Sequence, residues 1–121
     1  MKFHEIVSIV EGTTLSDANL DSEISCISAA DLMSDVLTFA ESGSLLLTGL
    51  CNPQVVRTVE MADIAAIVFV RGKHPPPETV ALAKEKGIPL ATTPYTMFEV
   101  CGRLHRAGLR GCDISHIRPM R

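Results

Sequence analysis

Aromatic residues are scarce in this sequence. Its 121 residues include no tryptophan, four phenylalanines and a single tyrosine, Tyr95. A folded core must therefore be filled mainly by aliphatic side chains and methionine. Aromatic residues interleaved with basic ones, on which the bases of single-stranded nucleic acid stack, are also missing. We therefore expect no nucleic-acid partner.

Long apolar runs are absent too. No apolar segment approaches the roughly 20 residues that a helix needs to cross a bilayer. The first residues, Met1 to Glu5, are not followed by the apolar block and small-residue cleavage site of a secretory signal. We therefore expect a cytoplasmic location and no membrane contact.

Metal-binding motifs are missing as well. The four cysteines form no C-x-x-C motif, and no two histidines stand four residues apart. Cys101 and His105 lie one helical turn apart and form a loose set with Cys112 and His116, but no paired-ligand motif supports it. Cysteine is a common small core residue, so reduced structural thiols are the expectation. We predict no metal and no cofactor.

Catalytic motifs are equally absent. The sequence contains neither of the two common glycine-rich phosphate loops, G-x-x-x-x-G-K-[ST] and G-x-G-x-x-G. It also lacks the G-x-S-x-G elbow of serine hydrolases. No nucleophile with a neighbouring base can be named, so the sequence argues against an enzyme.

The composition is that of a globular domain with an uneven charge distribution. Apolar residues make up 46% and charged residues 21%, with a net charge of -3. Residues 1–42 carry eight acidic residues and one basic residue, whereas residues 101–121 carry five arginines and one acidic residue. This asymmetry is consistent with solvated helix ends. A basic segment that docks on an acidic partner, or on the chain's own acidic half, is the alternative.

Hydrophobic periodicity and capping signals predict five helices. The residues Phe3, Ile6, Val7 and Val10, for example, have the spacing of one helix face. Capping boxes are expected at residues 28–31 and 96–99, and Asn52 and Pro77 mark two further helix starts. The helices are predicted at residues 2–11, from the Ser28 cap to 41, 53–62, 77–86 and 97–107.

Short apolar or alternating runs predict strands between these helices, at residues 24–27, 45–47, 64–70 and 88–91. Residues 13–22 are predicted to be irregular. Alternating strands and helices with short connections predict a mainly parallel sheet flanked by helices. We therefore predict a single α/β domain over residues 1–108, followed by a basic tail over residues 109–121.

Ligands of open α/β sheets bind beyond the carboxyl ends of the strands, near the point where strand order reverses. The residues expected at that edge offer hydroxyl groups, accessible backbone N–H groups, helix N-termini and one guanidinium, and an anion suits them. The same residue types also serve local turns and caps. The candidate ligand-binding residues are Thr48, Gly49, Asn52, Arg71, Gly72, Thr92, Thr93 and Thr96.

The sequence from Ile64 to Leu109 resembles the DRTGG domain family. The similar features are the strand that ends in Arg71-Gly72, the helix start at Pro77-Glu78, the segment 83–89, Thr92-Thr93 and the segment 96–99. Through this family the chain is similar to the N-terminal domain of bacterial HPr kinase/phosphorylase. Compatible sequence extends the resemblance over residues 6 to 109.

The resemblance implies an α/β fold shared with the N-terminal domains of certain Mur ligases, a non-catalytic regulatory role and a homodimer. Modules of this kind are often attached to CBS domains, phosphotransacetylases or kinases. The pentapeptide that names the family does not occur in this sequence, which puts the family's ligand site in question here. The phosphate loop of the kinase lies outside the similar region, so kinase activity is not implied.

Two hypotheses from different classes follow. The first is a regulatory or sensing domain that dimerises and binds a small anionic ligand, a nucleotide or a phosphorylated metabolite, at the strand ends. The second is a protein-protein interaction module that uses the basic C-terminal segment and has no small-molecule ligand.

Overall fold

Five helices and five short strands are found in residues 1–16 and 18–112, which the computed structural model describes. No helix in these residues is long and apolar enough to cross a membrane. The helices are α1 (Phe3–Ile9), α2 (Met33–Phe39), α3 (Pro53–Met61), α4 (Pro77–Glu85) and α5 (Met97–Arg106). The strands are β1 (Thr13–Thr14), β2 (Ile27–Ala29), β3 (Leu45–Thr48), β4 (Ala66–Phe69) and β5 (Leu90–Thr92).

The strands form one sheet in the order β1-β5-β4-β3-β2. The strands β2 to β5 are parallel, and β1 pairs antiparallel with β5. Since β3 and β4 are buried on both faces, their sequences are continuous apolar runs rather than alternating ones. The prediction of an α/β domain with a mainly parallel sheet and flanking helices is confirmed.

Each face of the sheet packs against its own set of helices. On one face, Leu45 and Leu47 of β3 share a core with apolar residues of α1 and α5. On the other face, Leu46 shares a core with residues of α2, α3 and α4. Adjacent residues of a strand point to opposite faces, so one strand supplies both cores. The result is a sheet between two layers of helices.

Two predictions for the amino-terminal part of the chain are wrong. Residues 13–22 are not all irregular, because Thr13 and Thr14 pair with Thr92 and Ala91 as β1. The first parallel strand occupies Ile27–Ala29 instead of residues 24–27. Alternating burial explains the second error, because Ile24 and Cys26 are buried without belonging to the strand.

The prediction of a capping box at residues 28–31 is also wrong. Ser28 lies within β2 and pairs with Leu46 of β3. The helix α2 begins only at Met33, and Leu32 at its N-cap makes no side-chain cap hydrogen bond. Pairing with β3 thus prevails over the local capping signal, as tertiary context often does.

The remaining helix starts are confirmed. Pro53 and Pro77 open α3 and α4, although Asn52 at the N-cap of α3 makes no side-chain cap hydrogen bond. The Thr96 hydroxyl caps α5 by accepting the backbone N–H of Glu99 at 3.4 Å. Of the tail expected from residue 109, the first four residues return to the sheet, where Gly111 forms a parallel bridge with Ile27. Residues 113–121 lie outside the described part of the chain.

Candidate ligand-binding site

A cleft of about 330 Å³ lies at the carboxyl edge of the sheet, where β2, β3 and β4 end opposite the start of α5. The strand order of β2 to β5 does not reverse, contrary to expectation. The cleft arises because β4 leads into α4 on one face of the sheet, while β5 leads into α5 on the other. It is lined by Asp31, Gly49, Val70, Arg71, Thr96, Met97 and Phe98.

Gly49 lies between two opposite charges. Its backbone N–H donates to Oδ1 of Asp31 at 2.8 Å, and the same oxygen accepts the Thr48 hydroxyl at 3.0 Å. A Cβ placed on Gly49 would lie 3.7 Å from a guanidinium nitrogen of Arg71 and 3.7 Å from Oδ1 of Asp31. A side chain at this position would occupy the space between the two charged groups. Glycine therefore leaves the backbone accessible in the middle of the cleft.

Arg71 follows β4 with a backbone φ of 59°, in the left-handed region. Its backbone N–H donates to the carbonyl of Tyr95 at 2.7 Å, which fixes this turn against the start of α5. Within residues 1–16 and 18–112, no carboxylate oxygen lies within 4.0 Å of its guanidinium. The side chain is exposed at the cleft and available to an anion.

The amino-terminal end of α5 forms the opposite wall of the cleft. The first N–H groups of a helix lack partners within the helix, and its dipole places partial positive charge there. Phe98, in the first turn of this ten-residue helix, is 88% exposed. It also lines an apolar groove of about 440 Å³ between α5 and β2. One aromatic ring therefore borders both the cleft and the groove.

The other predicted site residues take structural roles or lie elsewhere. The hydroxyl of Thr48 is engaged by Asp31, and those of Thr92 and Thr93 donate to the carbonyls of Lys73 and Val10, each at 2.7 Å. These three hydroxyl groups therefore donate to acceptors of the protein itself and not to a ligand. Asn52 and Gly72 are exposed at the same edge of the sheet but are not among the lining residues. The cleft brings together Gly49, Arg71 and Thr96.

Four lining residues were not among the sequence candidates: Asp31, Val70, Met97 and Phe98. Asp31 stands just after β2, a position that could have revealed it, but the capping-box interpretation assigned its carboxylate to a helix start. The helical spacing predicts the buried face of α5 at Met97, Val100, Cys101 and Leu104, so Phe98 already falls outside it in the sequence. Its exposure depends on how α5 packs.

A charged network beside the cleft holds α5 against the turn that follows α1. The Tyr95 hydroxyl donates to the carboxylate of Glu11, which raises the pKa of Tyr95. The Arg103 guanidinium lies 4.2 Å from the centre of the Tyr95 ring and donates to Glu99 at 2.9 Å and to Glu11 at 3.3 Å. The amino-terminal wall of the cleft is thereby anchored from two sides.

Two thiols are poorly suited to nucleophilic chemistry. Burial raises the pKa of Cys51, which follows β3, and that of Cys101 in α5. A cysteine attacks as its thiolate, so both groups stay protonated near neutral pH.

Comparison with known proteins is consistent with this architecture. The family model of the DRTGG domain matches residues 5–107. The fold is similar to the crystal structure of the CBS and DRTGG domains of the regulatory region of Clostridium perfringens pyrophosphatase, complexed with its activator diadenosine tetraphosphate. The TM-score is 0.67 at 13% sequence identity, and the match covers 98% of this chain.

The match covers 50% of the crystallised regulatory-region chain, so this chain spans half the length of that structure. No curated protein matches the sequence. The family match extends over nearly the whole sequence, as the resemblance of its motifs implied. The chain belongs to the DRTGG domain family.

Proposed function

We propose that this domain is a non-catalytic regulatory module that binds a small anionic ligand, a nucleotide or a phosphorylated metabolite, in the cleft at the carboxyl edge of the sheet. The observation that carries the proposal is the convergence of the Arg71 guanidinium and the N-terminus of α5 on one cleft. Both features attract anions, and they reach the cleft from different elements.

The phosphate position follows from these two features. A guanidinium donates two parallel hydrogen bonds to a phosphate, and helix N-termini bind phosphates through backbone N–H groups. Gly49, between Arg71 and Asp31, lets a ligand approach the backbone closely. The left-handed backbone of Arg71 costs about 1–2 kcal/mol for a residue with a Cβ.

The remaining lining residues favour a nucleotide over inorganic phosphate. The Asp31 carboxylate repels a bare anion, but it accepts hydrogen bonds from the hydroxyl or amino groups of a ligand whose phosphate lies at Arg71. The exposed ring of Phe98 offers an apolar surface on which a base can stack. A ligand with a phosphate, a hydroxylated sugar and a ring satisfies all three residues.

A regulatory role agrees with the family. The structurally similar DRTGG domain belongs to the regulatory region of a pyrophosphatase, and that region was crystallised with an activating dinucleotide. We propose that the ligand of this chain alters a conformation or an association and is not chemically transformed.

Isothermal titration calorimetry with adenosine nucleotides, diadenosine tetraphosphate and sugar phosphates tests the proposal. We expect saturable 1:1 binding by at least one nucleotide. Arg71→Ala should weaken that binding at least about tenfold, since a charge-assisted hydrogen bond contributes about 1.5–3 kcal/mol. Arg57→Ala is the matched control, because Arg57 is exposed on α3, outside the cleft.

Two results would contradict the proposal. One is the absence of heat with every nucleotide and sugar phosphate at millimolar concentration. The other is binding that Arg71→Ala and Arg57→Ala weaken equally, because it would reflect net charge and not the cleft.

We also propose that the domain forms a homodimer through the apolar groove between α5 and β2. The groove contains Ile27, Leu104 and Phe98 in its lining, and it borders the edge strand of the sheet. Analytical ultracentrifugation should show a dimer that Phe98→Ser dissociates. A monomer at all concentrations would exclude this arrangement.

The basic tail over residues 109–121 was the alternative binding element. Its Arg110 lies 3.3 Å from Glu41, and Arg103 of the preceding helix α5 lies 3.3 Å from Glu11. Both pairs support docking of this basic part of the chain on its own acidic half. Arg118 and Arg121 lie outside the described residues. Deletion of residues 113–121 should leave the dimer intact, and loss of the dimer would favour the C-terminal segment over the groove.

A further inference from the structure

Two cysteines and a glutamate from distant parts of the sequence meet beside β2, at the edge of the sheet along which residues 110–112 pair. The Cys26 sulfur lies 3.1 Å from the Cys112 sulfur and 2.9 Å from Oε2 of Glu41. All three ligand-type atoms lie within 4.8 Å of one another. Among the described residues this is the one such group, and it is separate from the cleft.

The fold brings these residues together through backbone pairing. Cys26 directly precedes β2 and is fully buried. The C-terminal segment runs alongside, because the Ile27 N–H donates to the Arg110 carbonyl at 2.9 Å and the Cys112 N–H donates to the Ile27 carbonyl at 3.1 Å. Glu41 follows the end of α2 and reaches the pair from a third direction.

We propose that Cys26, Cys112 and Glu41 form a binding site for a divalent ion of the zinc type. Two thiolates and a carboxylate are ligands of Zn²⁺, which is normally tetrahedral, so a water molecule would complete the coordination. Zn–S bonds of about 2.3 Å place two thiolates about 3.8 Å apart, so the sulfurs need to separate by less than about 1 Å.

The charges of the described residues at this group compensate one another when the ion is bound. Two thiolates and one carboxylate carry three negative charges. A divalent ion supplies two positive charges, and Arg110, whose guanidinium lies 3.3 Å from Oε2 of Glu41, supplies the third. A buried group of like charges is costly without such compensation.

Metal binding replaces protons at this site. As the two metal–sulfur bonds form, each thiol releases its proton to the solvent, and the oxidation state of every atom is unchanged. The bound ion would fasten the C-terminal segment to the edge of the sheet.

Titration of the reduced, metal-free full chain with Co²⁺ tests this site. We expect a thiolate-to-cobalt charge-transfer band that saturates at one ion per chain and disappears when Zn²⁺ is added. Loss of even an indirect partner weakens metal binding about 10- to 100-fold, so Cys112→Ser should weaken Co²⁺ binding at least that much. Glu41→Gln should weaken it while keeping the two-thiolate band.

Cys101→Ser is the matched control, because Cys101 lies on α5 outside this group. Cys112 is only partly buried, so its variant tests the site even if Cys26→Ser fails to fold. Three outcomes would overturn the proposal: no charge-transfer band, a band that Cys101→Ser reduces as much as Cys112→Ser, or a Cys26–Cys112 disulfide in protein isolated under reducing conditions.

Discussion

The carboxylate of Asp31 accepts the backbone N–H of Gly49 at 2.8 Å. This hydrogen bond joins the loop after β2 to the loop after β3, although 18 residues separate the two positions in sequence. The same carboxylate oxygen accepts the hydroxyl of Thr48, which is fully buried. Asp31 therefore shapes the floor of the cleft before any ligand binds.

Removal of the Asp31 carboxylate should destabilise the domain. Asp31→Ala leaves the buried Thr48 hydroxyl and the Gly49 N–H without this acceptor, which should lower the free energy of unfolding by about 1–3 kcal/mol. Asp31→Asn keeps an acceptor oxygen and should cost less. Urea denaturation followed by circular dichroism measures both, with Glu85→Gln on the exposed face of α4 as the control. Equal stability of Asp31→Ala and the control would refute the structural role.

The left-handed backbone of Arg71 predicts opposite effects of two substitutions that involve glycine. Arg71→Gly should raise the free energy of unfolding by about 1 kcal/mol, because glycine has no Cβ to strain at a φ of 59°. Gly72→Ala should lower it by about the same amount, since Gly72 has a φ of 67° although the space beside its Cα is open. Thermal unfolding compares both with Arg71→Ala, which keeps the strain. A stability loss in Arg71→Gly would indicate a structural role of the guanidinium.

Thr93 was a candidate ligand residue, and its contacts predict a role in stability. Its hydroxyl donates to the Val10 carbonyl and accepts the N–H of Tyr95 at 3.2 Å. Thr93→Val should therefore lower the free energy of unfolding by about 1–3 kcal/mol. The affinity of the folded domain for nucleotides should stay nearly unchanged, as calorimetry below the unfolding temperature can show. A large affinity loss with unchanged stability would place Thr93 in the ligand site.

Tyr95 gives a direct spectroscopic test of the network beside the cleft. It is the single tyrosine of the sequence, so the phenolate absorbance reports one group. The hydrogen bond to Glu11 raises its pKa above the ordinary value, whereas the Arg103 charge lowers it. Glu11→Gln should therefore lower the observed pKa, and Glu5→Gln should not change it.

The pH dependence of stability follows from the same shift. A tyrosine that binds its proton more tightly in the folded state contributes stability that is complete below its unfolded pKa, about 10. This contribution is lost as the pH rises through the folded pKa. Unfolding at several alkaline pH values should show a decline that is shallower in Glu11→Gln. Identical slopes would mean that the Tyr95–Glu11 bond is absent in solution.

The layered architecture could be predicted from the sequence where local and long-range signals agree. The buried runs at residues 45–47 and 64–70 coincide with β3 and β4, and the prolines at positions 53 and 77 open helices as expected. Two-residue β1 carries too little sequence for a periodic signal. The predicted start of α2 is wrong because Ser28 pairs with β3, a contact that no local rule contains.

The candidate site was predictable in part for a related reason. Strand ends identified Gly49 and Arg71 because parallel strands present their carboxyl ends at one edge. The hydroxyls of Thr92 and Thr93 were attractive on the same grounds, yet their bonds to Lys73 and Val10 depend on loops that fold back from elsewhere. Asp31 was not a candidate, because its hydrogen bond with Gly49 forms only in the folded chain and leaves no local pattern in the sequence.

Phe98 borders both the cleft and the apolar groove, so the two surfaces share one exposed ring. If the proposed ligand and the proposed second subunit both contact this ring, fixing it on one side changes the free energy of binding on the other. Thermodynamic linkage makes this coupling reciprocal, so a nucleotide that strengthens self-association by some factor must itself bind the associated form more tightly by that factor. The proposed nucleotide cleft and the proposed dimer groove would then be coupled through a single side chain.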